Sequence, residues 1–76
     1  MKVVIAKVNE NLYNGEALSM TVPGAEGEMT ILPEHEALMT TLKAGTITVR
    51  DNEGEKKFEI QTGVLEVRHD GATVIL

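Results

Sequence analysis

A chain of 76 residues, 42% of them apolar and none of them cysteine, fits one small domain and excludes disulfides and thiolate metal sites. Its net charge of −5 is unevenly placed, since Val8 to Leu42 holds six glutamates and no lysine or arginine. That distribution excludes nucleic acid and anionic lipid as main partners, because both need clustered bases, and it favours either a solvated face or a basic protein surface.

The elements read as β throughout. Val3-Val4-Ile5-Ala6 with Val8 forms a first strand, apolar on both faces at its centre. Leu12 to Val22 reads as a second, with Asn14-Gly15 marking a type I′ turn or a bulge within it. From Gly15 onward Leu18, Met20 and Val22 alternate with Ala17, Ser19 and Thr21, the period-2 pattern of a half-buried strand. The gap between these two strands is too short for a crossover helix, so they should pair antiparallel.

Met29-Thr30-Ile31-Leu32 is a short strand stopped by Pro33, which cannot donate to a ladder. Ala37 to Leu42 would suit one helical turn or a strand, and Thr40-Thr41 favours the strand. Thr46 to Arg50 alternates cleanly and leads into a hairpin loop at Asp51-Asn52-Glu53-Gly54. Lys57 to Gln61 alternates again, with Phe58 and Ile60 inward. Val64 to Arg68 and Ala72 to Leu76 flank the turn His69-Asp70-Gly71. Met20, Met29 and Met39 read as core fillers.

About eight short strands with turn signals between them, and no helical stretch with caps, point to one all-β domain over residues 1–76. The expected fold is an antiparallel β-sandwich of about eight to ten short strands. No apolar run approaches the roughly 20 residues that span a bilayer, so no direct membrane insertion is expected. The opening Met1 to Lys7 is too short and too charged for a signal peptide.

Candidate chemistry is sparse. His69 sits in a hairpin turn and reads as an exposed turn residue. His35 is flanked by Glu34 and Glu36, but adjacent residues on an extended chain point to opposite faces and cannot close on one ion. No metal site and no cofactor are therefore expected, and His35 reads as structural or interfacial. Without a nucleophile elbow or a cysteine nucleophile, no catalytic residue is expected either. Glu26 and Glu28 lie two residues apart and fall on one side of an extended segment. They make either a solvated acidic loop or a contact for a basic partner. A free-standing β-sandwich that binds a small ligand or carbohydrate is the alternative, but it would want exposed aromatics. Tyr13 and Phe58 are the only two.

The run Val22-Pro23-Gly24-Ala25-Glu26-Gly27-Glu28-Met29-Thr30-Ile31-Leu32-Pro33-Glu34-His35, followed by Ala37 to Gly45, resembles the epsilon subunit of the F-type ATP synthase (delta in mitochondria). The similarity continues through Thr46 to Arg50, Gly63 to Val67 and Thr73 to Leu76, and Tyr13-Asn14-Gly15-Glu16 fits the family's start. The resemblance implies an N-terminal β-sandwich in a non-catalytic subunit of the central rotor stalk. It implies that this domain joins the gamma subunit to the c-ring. Glu28 and Glu26 would then approach the polar loops of the c-ring, and His35 and Thr40 would meet gamma. The complex would lie against the cytoplasmic face of a bacterial inner membrane, or on the matrix or stromal side of an organelle. The family also adds a C-terminal helical hairpin that has no counterpart in this chain, so no inhibitory or nucleotide-sensing role is expected of it. The family usually has Gly where Glu34 stands and Pro where Ala37 stands. A non-glycine residue at 34 implies local strain if that glycine had positive φ.

Overall fold

The computed structural model describes all residues 1–76, and every regular element in it is a strand. In chain order these are β1 (Lys2–Lys7), β2 (Glu10–Glu16), β3 (Ser19–Gly24), β4 (Gly27–Ile31), β5 (Leu38–Leu42), β6 (Gly45–Asp51), β7 (Gly54–Ile60), β8 (Gly63–Arg68) and β9 (Gly71–Ile75). They form one continuous sheet in the order β2-β1-β9-β8-β5-β3-β6-β7, with β4 added on β3. Alternate residues from strands all along this path meet in a single core, so the sheet must curl over into two facing layers. The layers are β2-β1-β9-β8-β5 and β4-β3-β6-β7. This is the expected all-β sandwich.

The core follows from the period-2 pattern. Val3 and Ile5 enter it from β1, Met20 and Val22 from β3, Ile47 and Val49 from β6, Leu65 and Val67 from β8, and Ala72 and Val74 from β9. Ile5, Met20, Ile31, Ile47 and Leu65 are among the side chains with no measurable exposure. Each such side chain contributes roughly 1.5–3 kcal/mol of burial. In so short a chain that burial has little to spare against chain entropy.

β3 connects the layers. Its first half pairs with β6 through Ser19↔Arg50, Met20↔Val49 and Thr21↔Thr48. Its last residue, Gly24, pairs with Leu42 of β5 instead. Pro23 stands where the strand changes partner. A missing N–H is tolerated at such a break in the ladder, and the Pro23 carbonyl still accepts the Lys43 N–H at 3.0 Å.

Four local expectations change. Leu12 to Val22 is two strands, β2 and β3, rather than one. Ala17 and Met20 are both buried while Leu18 is exposed, so the chain bends at Ala17-Leu18 and the alternation restarts after it. Asn14-Gly15 is neither turn nor bulge and lies inside β2 opposite Val4 and Val3. The irregularity falls at Leu12, because Ile5 pairs with Tyr13 and Ala6 with Asn11. Val8 lies beyond β1 in the turn and is 90% exposed. The sheet is also not wholly antiparallel: β1 and β9 run parallel, from Lys2↔Gly71 to Ala6↔Ile75. A parallel neighbour cannot come from a hairpin, and here the whole intervening chain serves as the connection. Gly71 permits that close pairing, since a Cβ there would stand 2.3 Å from the Lys2 carbonyl oxygen.

At the two ends of the sheet, β2 meets β6 and β7 through side chains rather than through a ladder. The Tyr13 hydroxyl donates to Asp51 Oδ2 at 2.7 Å, and its ring meets Phe58 edge-on with centroids 6.2 Å apart. Burial and the Asp51 contact push the Tyr13 phenol up to about 12. The Tyr13 hydrogen bond, the Glu53 N–H and the Lys56 ammonium hold the Asp51 carboxyl below its usual value. Lys56 also pairs with Glu53.

Candidate interaction surface

The β3–β4 hairpin carries the first pair of candidate residues. Gly24 pairs with Gly27, which leaves Ala25 and Glu26 as a two-residue loop. Glycine is required at 24, where a Cβ would come within 2.7 Å of the Gly27 carbonyl oxygen. Glu26 therefore projects at the hairpin tip, and Glu28 lies one step inside β4, opposite Pro23. Both side chains are exposed. The Ala25 N–H bonds the Thr41 carbonyl at 3.0 Å, which ties the tip to the end of β5.

At the other end of β4 the chain turns through Leu32-Pro33-Glu34-His35. The His35 N–H donates to the Leu32 carbonyl at 3.2 Å, and Glu34 has φ 64°. With proline in the second position and positive φ in the third, this is a type II turn, whose third position favours glycine. Glu34 is the only non-glycine residue of the chain with positive φ. The strain expected at this position is therefore present. His35 is half-buried, and its Nδ1 lies 2.8 Å from the Glu36 carbonyl oxygen. Thr40 lies in β5 opposite Leu65 and is half-buried, in the inward row with Leu38 and Leu42.

The four candidates thus occupy three places: the hairpin tip, the proline turn and the inward row of β5. β4 keeps the acidic pair apart from His35. No three His, Asp or Glu side chains converge anywhere as a metal ion would require.

Ion pairing separates the acidic groups. Asp51, Glu53, Glu55, Glu66 and Asp70 all pair with Lys56, Arg50 or Arg68, and Glu16 pairs with the N-terminal ammonium. The other six acids have no such partner: Glu10 on β2, Glu59 on β7, and Glu26, Glu28, Glu34 and Glu36 together in one stretch. Four of the six unpaired acids therefore fall in one continuous segment. That arrangement suits the steering of a basic surface better than internal stability.

The two outward faces of the sandwich differ. On the β4-β3-β6-β7 layer, Thr30, Thr21, Thr48 and Lys57 stand in one row across four strands, and the Thr21 and Thr30 hydroxyls are 3.1 Å apart. On the other layer the register aligns Thr41, Val64, Ile75 and Ala6 across β5, β8, β9 and β1. The next row is Met39, Glu66, Thr73 and Val4. Met39 is 68% exposed, Ile75 50% and Val64 42%. Met39 is thus not a core filler, whereas Met20 is buried and Met29 packs on the core. Val64, Ile75 and Ala6 in one row, with Met39 and Val4 in the next, make an apolar patch on this face that marks a contact surface. Sequence reading missed it, although the apolar residues on both faces of β1 were its signal.

The family model for the ATP synthase delta/epsilon chain β-sandwich domain matches residues 1–76. The ATP synthase epsilon chain of Sulfurimonas denitrificans is 40% identical over 77 residues, which cover 100% of this chain and 59% of that relative. The ATP synthase epsilon chain 2 of Burkholderia orbicola is 42% identical, with 99% of this chain and 51% of the relative covered. This chain therefore spans little more than half the length of these two proteins. A chain in the Euglena gracilis mitochondrial ATP synthase OSCP/F1/c-ring structure superposes with a TM-score of 0.88 at 21% identity, over 96% of this chain and 48% of its own. That likeness establishes a shared fold. By the match over its whole length and the identity to these relatives, this chain belongs to the family of ATP synthase delta/epsilon chain β-sandwich domains.

Proposed function

We propose that this chain is the β-sandwich of a non-catalytic central-stalk subunit of an F-type ATP synthase. It links the gamma subunit to the c-ring, so that proton or sodium flow through the ring is coupled to ATP synthesis. The observation that carries this reading is family membership across residues 1–76, with relatives named as ATP synthase epsilon chains. The geometry supports it with two unlike surfaces on one small rigid body. The unpaired Glu26 and Glu28 at the hairpin tip suit the polar loops of the c-ring. His35 and the apolar row beside Met39 suit gamma, whereas Thr40, next to Met39 on β5, turns inward away from that row. A part that carries torque needs fixed register at its contacts, and Pro23 and Pro33 restrain the backbone where those contacts begin, while Gly24 allows the tight hairpin approach. The subunit would act in a membrane-associated complex, on the cytoplasmic face of a bacterial membrane or on the matrix or stromal side of an organelle.

Mixing the chain with gamma at micromolar concentration tests the reading. Co-elution of the two in size exclusion is expected, and separate elution at every ratio overturns it. Glu28→Lys should weaken ATP-driven ion pumping in the assembled enzyme while leaving the melting temperature of the free domain unchanged. Unaltered pumping would remove Glu28 from the c-ring contact.

A further inference from the structure

We propose that Met39 is a hydroperoxide-sensitive modification site, and that its oxidation weakens docking on the apolar sheet face. The four methionines differ in access: Met20 is fully buried, Met1 and Met29 are half-buried, and Met39 is 68% exposed. The strand pattern explains the difference. Leu38, Thr40 and Leu42 turn toward the interior of the sandwich, so Met39 between them must leave the sheet outward. The chain has no cysteine, so methionine sulfur is the only sulfur a peroxide can meet.

In the reaction, the thioether sulfur attacks the outer oxygen of a hydroperoxide. The S–O bond forms as the O–O bond breaks, and the departing oxygen takes a proton and leaves as water or an alcohol. Sulfur loses two electrons and the peroxide gains them. The product is a polar, chiral sulfoxide in place of a flexible apolar side chain.

Its surroundings make that change consequential. Met39 pairs with Glu66, which presents a carboxylate and no donor. The nearby base, Arg68, pairs with Glu66 and Asp70 and donates to the Thr73 hydroxyl. A sulfoxide oxygen covered by an apolar partner surface on this face would lose its water, at a cost to docking. The docking half of the proposal rests on the functional reading above. The order of oxidation does not.

The test treats the free 76-residue chain with hydrogen peroxide and follows the methionine peptides by mass spectrometry. Met39 sulfoxide should form roughly tenfold faster than Met20 sulfoxide, and ahead of Met1 and Met29. Oxidation of Met1 or Met29 as fast as Met39 overturns the site. The oxidised chain should then bind gamma at least about tenfold more weakly, with an unchanged melting temperature, and methionine sulfoxide reductases should restore affinity. Met39→Leu, whatever its own affinity, should show no further loss on peroxide treatment. Equal affinity before and after oxidation overturns the docking half. Failure of the untreated chain to bind gamma overturns the functional reading and the docking half with it, while the mass spectra still decide the site.

Discussion

Glu34→Gly should stabilise this domain. In the turn from Leu32 to His35, Glu34 holds φ 64°, closed by the His35 N–H on the Leu32 carbonyl. A side chain in this left-handed region costs about 1–2 kcal/mol, because Cβ crowds the following carbonyl oxygen. Glycine removes that crowding but gives back about 0.5–1 kcal/mol, because its unfolded chain is freer. The difference spans about 0–1.5 kcal/mol, and its middle, about 0.5–1 kcal/mol in favour of glycine, sets the expected size. At about 2.1 cal/mol/K per residue the unfolding entropy of 76 residues is about 160 cal/mol/K, so the melting temperature should rise by about 3–6 °C. Thermal melts followed by circular dichroism at neutral pH measure it. Glu34→Ala is the control, since it removes the charge near Glu36 while keeping Cβ at positive φ, and it should give no comparable gain. A melting temperature lowered by Glu34→Gly would refute the strain argument. An equal rise with Glu34→Ala would assign the effect to charge instead.

Three further changes probe how the sandwich closes. Tyr13→Phe keeps the edge-on contact with Phe58 but removes the hydrogen bond to Asp51, and should cost about 1–2 kcal/mol in urea denaturation. The same contact sets an acid dependence. The folded Asp51 carboxyl lies below 3.8, so its stabilisation is complete above that value and is lost as pH falls through the lower folded value. The stability gap between the native chain and Asp51→Asn should therefore be full at neutral pH and close on acidification below 3.8. Gly71→Ala would push a methyl group onto the Lys2 carbonyl. It should cost about 2–3 kcal/mol by parting β1 from β9, and amide exchange at these two strands would report the loss.

Much of this architecture was legible because it is local. The β6–β7 and β8–β9 hairpins announce themselves by alternation on either side of Asp51–Gly54 and His69–Gly71, and neighbours in sequence then pair. The acidic loop was legible from its local composition, as was the strained position at Glu34 through the family's usual glycine, while the loop's closing as a β3–β4 hairpin came from the structure. The parity of β2, β3 and β5 was harder to read. Asn14-Gly15 carries a strong turn signal that ladder pairing with β1 overrides, and the bend at Ala17-Leu18 has no glycine or proline to mark it. Met39 reads as apolar and therefore inward until the register of β5 on β8 is known.

By itself, the sequence determined that this is an all-β domain, which residues alternate inward in its hairpins, and where its acids concentrate, because each is written in residues a few positions apart. Only the tertiary structure decided the parallel pairing of β1 with β9, the Tyr13 bridge to Asp51 and Phe58, and the apolar row of Val64, Ile75 and Ala6. Those depend on which distant strands become neighbours. That choice is made by the closing of one shared core, and no short stretch of the chain encodes it alone.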